Sequence, residues 1–409
     1  MTLVALFLIG FSGCEETLKG LYILQKHGDM YGTMNFTGGP TPSHVTLGMI
    51  TEKGQKRAQA TAKFLAQQDK YKALLTRAYD YNQFSFYSTF EEHSKMSSLA
   101  FTNGLFAGKG PKTDDGKCIF TDKCNQPVPL VSVMEKNEYL LKAYNNCPVA
   151  SAIMNKKKGS KEFKKLMKDN AVFLKTVAKA IELKINNDNV LEVLETLKCN
   201  AESEIALPAS LVGKEQEITQ LFYKLSLAEI PRDDQSYCHA SLGAFMREIV
   251  SNMNADIKAK DPIVHHYSTD GEFMEIFLDC YDIPFTDRPE YAAMIVFELW
   301  SEGDASFVRF FSDLKPALDG TSDLKAVKPN VCSSTEKCPI SEFSKGYETV
   351  IGAESLTEWF YNECGYRTTV NNVPILILDI VLAVLFVVAL VIAIIALWSL
   401  CRQTKKMQL

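Results

Sequence analysis

The stretch Lys26-His27-Gly28-Asp29-Met30-Tyr31-Gly32 is the part of the chain best suited to chemistry. A histidine held by a short turn is well placed to act as a nucleophile, and a glycine beside it lets the backbone approach a ligand closely. Lys-His-Gly alone reads equally well as an ordinary turn, so the meaning of His27 depends on its surroundings. Seven lysines between Lys156 and Lys168 form a basic cluster, read as a solvated helix face, with attraction of anionic ligands as the sharper alternative. Cys118/Cys124 and Cys332/Cys338 could each close a small loop. Neither pair is a C-x-x-C and no histidine lies nearby, so neither a metal centre nor a cofactor is expected.

Such residues need elements to hold them. Leu21 to Leu24 reads as the end of a buried strand, which places His27 just past a strand's carboxyl end, where open α/β sheets build their sites. Gly38-Gly39-Pro40-Thr41-Pro42 is a loop by composition. Thr51 then reads as a helix N-cap, with Glu52 in the first turn and Ala58, Ala62 and Leu65 as an apolar stripe. Phe84 to Thr89 alternates like a strand and runs into a helix start near Phe90 to Ala100. From about Ala143 to Met246 the pattern is helical, with Phe163, Leu166, Phe173, Val177 and Ile181 on one face. Val264 to Ser268 reads as a returning strand and Thr269-Asp270-Gly271-Glu272 as its turn. A helix through Phe273, Ile276 and Phe277 follows, then a hairpin of Met294–Leu299 and Ser306–Phe311.

At 409 residues the chain can bury a large core, and 46% hydrophobic with 23% charged residues is ordinary for a folded protein. A net charge of −5 argues against a nucleic-acid partner. Leu3 to Phe11, followed by Ser12-Gly13-Cys14, has the length of a signal-peptide core, so residues 1–13 are expected to be a signal peptide. Ile380 to Trp398 carries no charge and is followed by Arg402, Lys405 and Lys406. That pattern predicts one membrane helix over 374–399 and a cytoplasmic tail over 400–409. The expected arrangement is a single-pass type I protein, its body of residues 14–373 outside the cell or in the lumen of the secretory or lysosomal pathway. Nine cysteines between Cys118 and Cys364 fit that oxidising side, where cysteines usually pair. Asn35-Phe36-Thr37 is the one glycosylation sequon.

These residues together resemble the histidine acid phosphatase family. Lys26-His27-Gly28-Asp29-Met30-Tyr31-Gly32 is similar to its R-H-G-x-R-x-P motif, and Ser88-Thr89 with Glu92-His93 to its S-T-D-x-x-R segment. Tyr267-Ser268-Thr269-Asp270 stands where the family has Y-S-x-H-D. Asn146-Cys147-Pro148, and Cys338-Pro339-Ile340 through Glu363-Cys364, look like its later landmarks. The signal and single span are similar to the lysosomal membrane branch. The resemblance covers nearly all of residues 18–365. It implies an α/β three-layer sandwich with an inserted helical cap: core about 18–142 and 247–365, cap about 143–246. It also implies Cys147–Cys364 and Cys332–Cys338 disulfides and a phosphorylated or anionic small ligand, and it leaves a homodimer open.

The departures matter as much as the matches. In the family the first histidine is phosphorylated, three arginines hold the phosphate, a second histidine helps, and an adjacent aspartate protonates the leaving oxygen. Here His27 is kept. Lys26 keeps charge but loses the bidentate fork, Met30 can neither pair nor donate, and His93 is a partial cation at best near neutral pH. The His-Asp pair becomes Asp270-Gly271 without a gap. A one-residue shift instead makes Asp270 the acid, with Thr269 in the second histidine's place. Losing one such donor commonly costs roughly 10²–10³ in rate. The expectation is a weak or inactive pseudophosphatase serving as a binding or surface module. The alternative is an active acid phosphatase working through phospho-His27, with Asp270 as acid and Lys26 and His93 as phosphate ligands.

Overall fold

The structure is a computed structural model. It describes residues 15–36, 46–119, 123–231, 234–285, 287–318 and 322–352, together with 359, 363–365, 385, 386 and 388. The chain divides into two compact units, Met1–Ala353 and Glu354–Leu409, and every element below belongs to the first. The expected signal peptide, the cytoplasmic tail and the loop at Gly38 to Pro42 lie outside the described residues. So does the membrane span, apart from 385, 386 and 388. Among the described residues no helix is long and apolar enough to cross a membrane.

One mixed sheet forms the centre. Its strands are β1 (Thr17–Lys26), β2 (Phe84–Ser88), β3 (Val131–Ser132), β4 (Ile263–Thr269), β5 (Met294–Glu302), β6 (Ala305–Asp313), β7 (Lys325–Val327) and β8 (Cys338–Pro339). The order is β3-β2-β4-β1-β5-β6-β7, with β8 also on β6. β1 is parallel to β4, pairing Leu24 with Tyr267, and antiparallel to β5. Leu21 to Leu24 have no exposed surface, as expected of a central strand covered on both faces.

Helices lie on both faces. α1 (Glu52–Gln67), α2 (Asp69–Leu75) and α3 (Glu92–Phe106) cover one. There Ala62, Leu65 and Phe101 pack with Leu21, Ile23, Phe86 and Val296. The Thr51 side chain accepts from Gly54 N at 2.9 Å, making the expected N-cap of α1. The connection from β1 into α1 depends on close backbone approach. A Cβ on Gly28 would lie 2.3 Å from Gly54 O, and one on Gly54 would lie 2.2 Å from Asp29 O.

The helical stretch after the third strand comprises α4 (Ala143–Asn146), α5 (Pro148–Lys158), α6 (Lys161–Asp169), α7 (Ala171–Ala180), α8 (Val190–Glu202), α9 (Glu215–Glu229) and α10 (Gln235–Asp256). Phe163, Phe173, Val177 and Ile181 bury in one cluster with Leu194, Leu197, Ile218 and Phe222. α10 continues past Met246 to Asp256 and lies on the second face of the sheet, where Phe245 packs edge-on against Tyr267. α11 (Gly271–Cys280) shares that face, with Phe277 against Phe297. It begins inside the stretch read as a turn, because the Asp270 side chain caps it by accepting from Phe273 N. α12 (Ile340–Phe343) and α13 (Glu348–Gly352) close the unit.

Disulfides join Cys118 to Cys124, Cys332 to Cys338, and Cys238 on α10 to Cys280 on α11. Cys147 and Cys364 are each disulfide-bonded. Cys199 is a buried free thiol among the described residues, which accounts for the odd number.

Candidate active site

His27 follows β1 directly. Its N–H donates to Thr269 O and its carbonyl accepts from Ala292 N, both at 2.9 Å, which fixes the backbone between the ends of β4 and β5. The ring Nδ1 lies 2.9 Å from Gly28 O. A carbonyl only accepts, so Nδ1 carries the hydrogen and Nε2 keeps its lone pair. His93, in the first turn of α3, repeats the arrangement, with Nδ1 2.9 Å from Gly48 O. The two rings meet edge to face with centroids 4.3 Å apart. His27 is 3% exposed. Burial, then His93 and Lys26, hold its pKa well below the ordinary histidine value. Burial also lowers His93, against the pull of the Gly48 carbonyl and Glu91.

Lys26 is buried. Its Nζ donates to Pro289 O at 2.9 Å and lies 4.7 Å over the Tyr291 ring. Burial, followed by the Arg288 and Lys198 cations, pushes it down to about 8. Tyr291 also packs in a small apolar cluster with Met30 and Cys199.

Asp270 is fully engaged. Oδ1 accepts from Phe273 N at 2.8 Å. Oδ2 accepts from the Tyr144 hydroxyl at 2.6 Å and pairs with Lys142 Nζ at 2.8 Å. Lys142 also pairs with Glu91 at 2.5 Å. Burial alone would raise the Asp270 carboxyl, but Lys142 and the hydrogen bonds from Lys142 and Tyr144 outweigh it and hold it below its ordinary value. Burial works against Lys142 as well, and Asp270 and Glu91 outweigh it to raise the ammonium. The cluster is a carboxylate–ammonium–carboxylate bridge.

All four expected site residues therefore lie at the carboxyl ends of β1 and β4 and the start of α3, but in different bonding states. Asn35 is exposed, while Thr37 of its sequon lies outside the described residues. The residues that sequence reasoning missed are Lys142, Tyr144, Glu91 and Arg288. Glu91 sits inside the Ser88-to-His93 segment, which was a usable signal. The other three reach the site from distant stretches with no pattern marking them.

The comparisons with known proteins decide the family. The model of the histidine phosphatase superfamily (branch 2) matches residues 19–313, more than half of the chain. The chain belongs to that superfamily. Among curated relatives, human prostatic acid phosphatase is 22% identical over 331 residues, covering 76% of this chain and 82% of that protein. Among solved structures, Hafnia alvei phytase in complex with myo-inositol hexakis sulphate aligns with a TM-score of 0.61 at 13% identity, over 82% of this chain and 97% of its own. Citrobacter braakii phytase aligns with a TM-score of 0.56 at 12% identity, over 81% and 98%. At those identities the structural likeness speaks for the fold alone. Against the superfamily's pattern, the second arginine's position holds Met30 of the apolar cluster. Gly271 presents no side chain, and Asp270 is a helix cap tied to an ammonium.

Proposed function

We propose that this chain is a membrane-anchored histidine acid phosphatase-like protein with little or no catalytic power, serving as a binding module for an anionic ligand. The observation that carries the reading is the state of Asp270. A general acid must hold a proton near the leaving oxygen at working pH. Asp270 is instead held ionised by Lys142 and Tyr144, and its other oxygen caps α11. Met30 within an apolar cluster removes a phosphate ligand as well. The disulfides fit a secreted or lumenal body, and the charge-free run from Ile380 to Trp398 supports anchoring.

A second reading, an active acid phosphatase, is favoured by one observation. His27 has its Nδ1 fixed on Gly28 O, so Nε2 is poised as a nucleophile. In that case the proton would have to come from a group other than the Asp270 carboxylate. Glu272, pushed up to about 8 by burial, Glu229 and Asp270, is the nearby carboxyl that still carries one. Release of phosphate from an aryl phosphomonoester between pH 4 and 7, measured beside a His27→Ala protein, separates the two. The proposed function expects no release above the control.

A further inference from the structure

The helical stretch between β3 and β4 concentrates positive charge that the site does not use. From 156 to 184 the chain has ten lysines, no arginine and three acidic residues, while the whole chain has a net charge of −5. The lysines of α5 have local work. They lie in its last turn, where the helix dipole favours cations, and Lys157 and Lys158 pair with Glu162 and Glu229 at 3.2 and 2.8 Å. Those of α6 and α7 are placed differently. Lys161, Lys164, Lys165 and Lys168 recur at i, i+3, i+4 and i+7, so they share one face of α6, and all four are exposed. On its other side Phe163 is buried in the apolar cluster, with Leu166 and Met167 packed against that cluster. On α7, Lys175 and Lys179 are exposed, while Phe173, Leu174 and Val177 enter the same cluster. Both helices thus turn their lysines away from one buried centre.

This arrangement works against the isolated helix. Like charges at i, i+3 and i+4 destabilise it, and surfaces ordinarily intersperse both signs. Lys165 pairs with Asp169, but Lys161, Lys164, Lys168, Lys175 and Lys179 have no ion pair among the described residues. An extended polyanion would relieve the repulsion, and the chemistry narrows its kind. A helix that lies on a membrane buries its apolar face in the lipid, whereas here that face is already packed inside the protein. Anionic lipid is characteristic of the cytoplasmic leaflet, and the disulfides fit a secreted or lumenal body. Lysines without arginine supply mobile point charges in place of the planar forks that grip individual phosphates, which suits a polymer with sulfates spaced along it.

We infer that the outward lysine faces of α6 and α7 bind a sulfated polysaccharide, with Lys161, Lys164 and Lys168 as its central contacts. The inference goes beyond the reading of His27 and stands whether or not that residue turns over a substrate. The test measures binding of the full chain to immobilised heparin at about 0.15 M salt. Saturable binding is expected, falling steeply as salt rises. A chain of net negative charge would not be held there by its overall charge. The triple variant Lys161→Gln, Lys164→Gln, Lys168→Gln should bind at least about tenfold more weakly. A control triple, Lys63→Gln on α1 with Lys258→Gln and Lys260→Gln after α10, removes the same charge and should stay within about twofold of the wild type. All six lysines are exposed, so both variants are expected to fold. Absence of heparin binding by the wild type would overturn the inference. Equal loss in the two triples would also overturn it, because diffuse charge and not this face would then do the binding. So would phosphatidylserine vesicles bound through the same three lysines more tightly than heparin, since the partner would then be a lipid surface.

Discussion

Asp270 carries the functional argument at the scale of single residues, because both of its oxygens are engaged. It caps α11 and neutralises a buried ammonium shared with Glu91. Breaking a buried pair by removing one partner typically costs roughly 3–5 kcal/mol, because the other charge is left uncompensated. Asparagine can still cap a helix. Because Lys142 keeps its Glu91 partner, Asp270→Asn is expected to lose less than a full pair, about 2 kcal/mol for the weakened charged hydrogen bonds, read as a lowered urea midpoint with an unchanged slope. A loss below about 0.5 kcal/mol, the range of an exposed pair, would show that the bridge contributes little. Met30 shows the apolar side of the same site, where it packs with Cys199 and Tyr291.

At the scale of elements, the site depends on how tightly β1 turns into α1. Gly28 and Gly54 face each other so closely that neither tolerates a Cβ without backbone movement. Overpacking of this kind costs typically 1–3 kcal/mol and occasionally more. Gly54→Ala should lose at least about 2 kcal/mol in thermal or urea unfolding, and a neutral result would mean that the turn and helix can separate freely. These elements were legible in the sequence because each signal is local. Leu21 to Leu24 is a continuous buried run, Thr51 is a cap followed by Ala58, Ala62 and Leu65, and Phe84 and Phe86 alternate with Ser85 and Tyr87. His27, Lys26, His93 and Asp270 were legible for the same reason, since they stand inside short motifs. The bonding of Asp270 was not. It is decided by Lys142 and Tyr144, which only the fold brings to the end of β4, and no spacing rule links them. The pairing of Cys238 with Cys280 was hidden likewise. The start of α11 at Gly271 was missed because a capping aspartate before a glycine also reads as a turn.

At the scale of the whole molecule, buried histidines and buried carboxyls pull the pH response in opposite directions. His27 and His93 are depressed mainly by burial, and His266, enclosed by Phe101 and hydrogen-bonded to Gln25, is pushed down to about 3. Each stays neutral in the folded protein while the unfolded chain takes up protons below about pH 6.5. Each histidine therefore lowers stability as pH drops from 6.5, by up to about 1.4 kcal/mol per pH unit, while Glu272, held up at about 8 by burial, Glu229 and Asp270, raises it over the same range. Asp270 and Glu91, both held below their ordinary values, add their loss only under about pH 4. The histidine share is read by difference: a folded His266→Gln protein should lose less midpoint from pH 7 to pH 5 than the wild type, and an identical pH dependence would contradict the buried-neutral assignment.

The most direct test of the account is hydrolysis of an aryl phosphomonoester by the folded protein from pH 4 to 7, beside His27→Ala. The account predicts release within about twofold of that control at every pH, since an unavailable acid and a missing phosphate ligand each cost roughly 10²-fold or more. A rate well above the control, vanishing in His27→Ala, would contradict it and establish His27 as a working nucleophile.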